Sequence, residues 1–324
     1  MSHPEDRSGP RPESHPGSRP EPGSVPASTG RRTRRRALVA AAVLLPVALV
    51  AGLALAREGS PGGRPASVDG RGGGEGPAGS SPSEGARPDG STGPAAKAPL
   101  AGKVVVVDPG HNPGNFQHAE EINREVDIGT GRKACDATGT TTSDGPGGYR
   151  EADFTLDVSR KLRARLREQG ATVILTHDAD RAWGPCVDER ARIGNEARAD
   201  AVVSVHADGS ARGNRGYHLI LPARVKAGAA DTAAIVGPSR DLGERIGRQF
   251  ALATGSEPAN YLGGGTGIDV RDDLGGLNLS RVPKVFIECG NMRDPQDAAR
   301  LTDGAWREKA ARGIAEGIMS FLRG

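Results

Sequence analysis

The chain has 324 residues, of which 26% are charged and only 3% aromatic, and its formal net charge is +3. That length leaves room for a sizeable core, whereas so few aromatic rings exclude a stacking platform for single-stranded nucleic acid and an extended sugar-stacking surface. Much of the positive charge sits in one N-terminal cluster, so it says little about what the folded part recognises.

Residues 1–30 are rich in Pro, Ser, Gly, Glu and Arg and almost free of apolar side chains, a composition that cannot offset chain entropy and predicts disorder. Arg31, Arg32, Arg34, Arg35 and Arg36 complete a basic tail over 1–36, and residues 37–56 then run without a charge. Twenty helical residues would cover roughly 30 Å, the thickness of a bilayer's hydrocarbon core. The arginines fit the retained, cytoplasmic side of such a segment and need no nucleic-acid partner. Ala54-Leu55-Ala56 is an acceptable cleavage site, so a membrane anchor and a cleaved signal both stay open. Either way the rest is expected outside the cell, bound to the membrane or secreted after cleavage near Ala56. Residues 57–98 return to Gly, Pro, Ser and Ala and read as a flexible linker with a span of roughly 35 Å.

From residue 99 to 324 the composition is that of one globular domain. A β-branched run at 104–107 predicts a first strand, followed by Asp108-Pro109-Gly110-His111 and a long stretch, 112–148, with no convincing period. Glu151 opens a helix in which Phe154, Val158, Leu162 and Leu166 recur at i, i+4 spacing, ended by Gly170. Strands follow at 171–175, 201–205, 217–221 and 284–287, and helices at 188–197, 242–252 and 305–322. This alternation predicts an α/β fold: a single open, mostly parallel sheet flanked by helices. The glycines at 263–267 lack the GK[ST] ending and preceding strand of a phosphate loop and read as a flexible loop.

In an open sheet of this kind the carboxyl ends of parallel strands converge on one crevice. Four segments bring a chemically competent side chain there: His111 after the first strand, Glu151 at the head of the next helix, His206 after 201–205, and Glu288 after 284–287. Two imidazoles and a carboxylate are what a catalytic zinc keeps as protein ligands, and a further carboxylate is the usual base. His118, His177 and His218 have no such context and read as ordinary loop or core histidines. Of three cysteines, Cys135 and Cys186 lie in loops and read as paired in an oxidising compartment. Cys289 would point to the sheet face opposite Glu288, which suits a buried structural residue.

These motifs resemble the zinc-dependent N-acetylmuramoyl-L-alanine amidases of the amidase type 3 family, especially exported actinobacterial members. The similarity spans 103–322 and includes CDATGTTTSDG at 135–145, GPCVDERA at 184–191, NYLGG at 260–264 and DLGGLNL at 273–279 followed by Pro283. It implies cleavage of the amide between the lactyl group of muramic acid and the L-alanine of the stem peptide, with peptidoglycan or muropeptides as substrate. It also implies one zinc held by His111, Glu151 and His206, Glu288 as catalytic glutamate, and a Cys135–Cys186 disulfide. Asp208 stands where many members have Asn, and Cys289 where Thr or an aliphatic residue is common. Arg271 has two readings, a solvated arginine or a group that orients substrate. A zinc peptidase cutting within the stem peptide and a non-catalytic wall-binding module are the competing functions; the presence of all four groups favours an enzyme. A regulatory partner is not legible.

Overall fold

The computed structural model describes residues 98–143 and 147–324. The basic tail, the apolar run at 37–56 and most of the linker lie outside the described residues. Among the described residues no helix is long and apolar enough to cross a membrane.

Twelve elements position the site. In chain order they are β1 (Val104–Pro109), α1 (Glu151–Glu168), β2 (Thr172–Leu175), α2 (Val187–Glu196), β3 (Ala201–Asp208), β4 (His218–Pro222), α3 (Val236–Thr254), β5 (Ile268–Arg271), α4 (Gly275–Asn278), β6 (Lys284–Asn291), α5 (Pro295–Thr302) and α6 (Gly304–Arg323). The strands form one six-stranded sheet in the order β2-β1-β3-β6-β4-β5. Pairing is parallel throughout except between β6 and β4, as the sequence leads one to expect of a mostly parallel sheet.

Strand alternation sorts the core into two layers. Val105, Val107, Val203, Val205, Val285 and Ile287 point to one face and pack with Phe154, Val158, Leu162 and Leu166 of α1 and with Leu242, Ile246 and Phe250 of α3. The i, i+4 apolar set of α1 is therefore its buried stripe. Val106 and Val202 point to the other face, against Ile193 of α2. Cys289 lies buried in the larger core, on the face its position predicts.

Two expectations need correction. The stretch 112–148, expected to lack regular structure, holds a 3-10 turn (Asn115–Gln117), a short helix (Ala119–Asn123) and a hairpin of Glu125–Asp127 with Arg132–Ala134. These pieces are too short to show a period and are held by long-range contacts, among them a Cys135–Cys186 disulfide that anchors the hairpin's exit to the start of α2. The strands expected at 201–205 and 284–287 run on to Asp208 and Asn291, because the two keep pairing with each other that far, so His206 and Glu288 lie within strands rather than after them.

Helices α3 and α6 approach closely because α6 presents glycine to α3. A Cβ on Gly317 would lie 2.4 Å from Ile246 Cα, and one on Gly313 2.8 Å from Phe250 Cα. Alanine is the better helix former by about 1 kcal/mol, but neither backbone atom can yield without separating the helices. Gly317→Ala is expected to destabilise the fold by a net ~1–3 kcal/mol, the cost of overpacking. Denaturant unfolding measures this, and a stabilised variant would refute the close packing.

Candidate metal and catalytic site

The turn after β1 shapes the site. His111 has φ +62°, a left-handed conformation that strains any side chain bearing a Cβ. Gly110 before it must be glycine, because a Cβ there would sit 2.3 Å from His206 Cε1. The Thr155 hydroxyl of α1 donates to the Gly110 carbonyl at 2.6 Å and fixes the turn to the helix that carries Glu151. The strain at His111 is thus held by neighbours on β3 and α1.

Three of the four expected groups meet. Glu151 Oε1 lies 3.2 Å from His111 Nε2 and 3.0 Å from His206 Nδ1, and the donor atoms of all three residues lie within 4.8 Å of one another. The carboxylate is held from behind: Oε2 accepts from the Thr140 amide at 2.9 Å, and Oε1 from the Ala207 amide at 3.2 Å. His111 Nδ1 donates to the Ala137 carbonyl at 3.0 Å, which leaves the Nε2 lone pair facing the cluster. The His206 ring stacks on Phe286, with centroids 5.2 Å apart.

Glu288 is the register partner of His206 across the parallel β3–β6 pairing, so both side chains emerge on one face at adjacent positions. Its environment is opposite to that of Glu151. Burial alone would push the Glu151 carboxyl up, but the two imidazoles outweigh it and hold the group well below the usual carboxylate range. Burial pushes Glu288 well up, and the negative Glu151 and Asp208 push it the same way. One carboxylate is therefore kept ionised while the other is disposed to take a proton.

Sequence reasoning missed the floor beneath these groups. Buried Arg190 of α2 donates to Asp108 Oδ1 at 2.7 Å, the Pro109 carbonyl at 2.6 Å and Asp136 Oδ2 at 2.8 Å. Lys284, also buried, lies 3.2 Å from Asp108 Oδ2, and Thr176 and Ser204 donate to the same carboxylate. Asp136 Oδ1 in turn lies 3.5 Å from His111 Nδ1. Burial would raise both aspartates, yet the two cations hold Asp108, and Arg190 holds Asp136, far below the ordinary value. The charge of Asp108 within DPGH was readable; no local pattern marks an arginine or a lysine as buried. A cavity of about 250 Å³ adjoins this floor, lined by His111, His206, Phe286, Arg190 and Gly276 among others.

The remaining expectations fare differently. The Cys135–Cys186 disulfide is present. Arg271 spends its guanidinium on Asp273, with two bonds of 2.8 Å. Asp208, the departure from the commoner Asn, accepts from the Tyr261 hydroxyl at 2.6 Å and from the Gly209 amide at 2.7 Å. The glycine-rich segment carries a 3-10 turn at Gly263–Gly265.

Residues 105–320 match the family described as N-acetylmuramoyl-L-alanine amidase. The chain belongs to that family. Among its amidase relatives, the N-acetylmuramoyl-L-alanine amidase Rv3717 of Mycobacterium tuberculosis is 41% identical over 226 residues, 69% of this chain and 88% of that protein. The crystal structure of the N-acetylmuramyl-L-alanine amidase Ami1 from Mycobacterium smegmatis is similar with a TM-score of 0.62 and 40% identity, over 69% of this chain and 98% of that one. The apo form of Ami1 from Mycobacterium abscessus gives a TM-score of 0.61 and 38% identity, over 69% of this chain and all of that one, 100%.

The contact of Asp136 with His111 is of the kind that sets a ligand's basicity and orientation. Asp136→Asn, which keeps the shape and removes the charge, is expected to weaken binding of a divalent ion about 10- to 100-fold. Competition against a chromophoric chelator measures it, and an unchanged affinity would show that Asp136 serves Arg190 alone.

Proposed function

We propose that this chain is a zinc-dependent N-acetylmuramoyl-L-alanine amidase that hydrolyses the amide between the lactyl group of muramic acid and the L-alanine of the stem peptide. The observation that carries this reading is the meeting of His111 Nε2, His206 Nδ1 and Glu151 Oε1 beside a half-buried Glu288. The donor set fits a catalytic zinc: two imidazoles and one carboxylate, with protein contacts fixing His111 and the carboxylate from behind. When bound there, one zinc supplies Lewis acidity toward an amide carbonyl and makes water acidic near neutral pH.

The residues of the chain do the rest. Glu288 accepts the proton of the attacking water as the new carbon–oxygen bond forms. The same carboxyl, now protonated, delivers that proton to the departing alanine nitrogen as the carbon–nitrogen bond breaks, leaving a lactyl carboxylate and a free stem peptide. A carboxyl whose proton affinity is raised by burial suits both halves of that exchange better than a free glutamate. Membership of the family and the 41% identity to an amidase support the substrate class. The apolar run at 37–56 and the linker after it support a domain tethered outside the membrane, or released from it, within reach of the wall.

Glu288→Gln is expected to keep one equivalent of zinc and lose turnover by about 10²- to 10⁴-fold. His206→Ala is expected to lose both. Release of peptide from purified wall is measured with metal content, before and after chelation and re-addition of zinc. Full activity in Glu288→Gln, or in the chelated protein, would sink this mechanism, and new termini within the stem peptide would make the enzyme a peptidase.

A further inference from the structure

One strand beyond Glu288, on the side away from the imidazole pair, lies a histidine with no part in the reaction as described. His218 opens β4 and is the register partner of Glu288 across the antiparallel β6–β4 pairing. Directly opposed residues of such a pair send their side chains to one face, with Cβ atoms roughly 5 Å apart. His218 is only 3% exposed, and its Nδ1 is buried without a hydrogen-bond partner. Glu288 Oε2 is in the same state. A buried polar atom left unpaired costs stability, and two of them on directly opposed residues account for each other.

The surroundings suit a donor to a carboxylate. Burial pushes the His218 pKa down and keeps the ring neutral, with one N–H to give. The Tyr261 ring meets His218 edge-on with centroids 6.0 Å apart, while its hydroxyl is committed to Asp208, so the imidazole is walled in on that side. The two atoms are not hydrogen-bonded to each other in the structure, so the bond requires one of the two side chains to turn toward the other.

We infer that His218 is a positioning residue for Glu288: its Nδ1–H donates to Glu288 Oε2 and thereby presents Oε1 to the water that attacks the substrate. This rests on the amidase reading above. A carboxylate free to turn would offer either oxygen in many directions; one pinned at Oε2 offers Oε1 in one.

The test uses the full-length chain, its His218→Phe, His218→Asn and Glu288→Gln variants, and the double variant carrying His218→Phe and Glu288→Gln, on a defined muropeptide. Loss of one hydrogen bond to a charged group predicts that His218→Phe lowers kcat about tenfold, with KM and zinc content unchanged. Asn carries an amide donor close to the place of Nδ1 and restores most of the loss. Adding His218→Phe to Glu288→Gln changes nothing further, because the partner is already gone. Wild-type kcat in His218→Phe, equal losses in the Phe and Asn variants, or a fully additive loss in the double variant overturns the inference. A second readout does not depend on turnover: in chain labelled with ¹⁵N-histidine, the His218 Nδ1 resonance moves when Glu288 is replaced by Ala, and a resonance that stays in place shows that the bond does not exist. Absence of cleavage by the unmodified chain would instead overturn the amidase reading and leave the resonance to decide the bond.

Discussion

The candidate site depends on one buried guanidinium. Arg190 reaches from α2 to Asp108 and Pro109 at the end of β1 and to Asp136 in the loop that follows the hairpin. It thereby ties together the strand that delivers His111, the loop that backs it and the helix beneath. The disulfide acts at the same places by covalent means, since Cys135 precedes Asp136 and Cys186 begins α2. With Lys284 on Asp108, two cations and two carboxylates are shut away in mutual contact. Such a group is stable only when complete, because removing one member leaves a buried charge uncompensated at a cost of ~3–5 kcal/mol. A floor of this kind does not deform gradually, which suits the geometry that a metal ligand set demands.

The two glutamates show how position decides chemistry. Both carboxyls lie in the site, but Glu151 is buried, accepts from the Thr140 and Ala207 amides and lies against both rings, whereas Glu288 is half-buried. Glu288 faces negative neighbours and keeps an oxygen with no partner. Opposite environments push the two proton affinities apart, one group toward a permanent anion and the other toward a carrier of protons. Asp208 strengthens the difference, because it places a negative charge near Glu288 where an Asn would place a neutral amide.

What could be read in the sequence was whatever repeats locally. The β-branched runs of β1, β3 and β6, the i, i+4 stripe of α1 and the polar residues at the strand ends all carry a short-range period, and they located His111, Glu151, His206 and Glu288. The hairpin of two three-residue strands has no room for a period and is fixed from outside by a disulfide. Edge strand β5, with Val270 47% exposed, resembles a loop in composition. The start of β6 was read correctly at Lys284, but the burial of that lysine was not, because its charge is neutralised by Asp108, a residue far away in the chain. Helix α5 was not expected, although Asp294 caps it and Pro295 follows at its first position, because its eight residues carry too short a period.

The strand order itself arranges the chemistry across the sheet. Moving from β1 to β3, β6 and β4, one meets His111 in the turn just past β1, then His206, Glu288 and His218 on three adjacent strands. The reversal of direction at β6–β4 matters here, because only an antiparallel neighbour puts its first residue opposite a position in the later half of β6. In a fully parallel sheet the residue beside Glu288 would itself be a strand end, open to the crevice. Here it is the enclosed start of β4, where His218 is shielded from water beside Glu288.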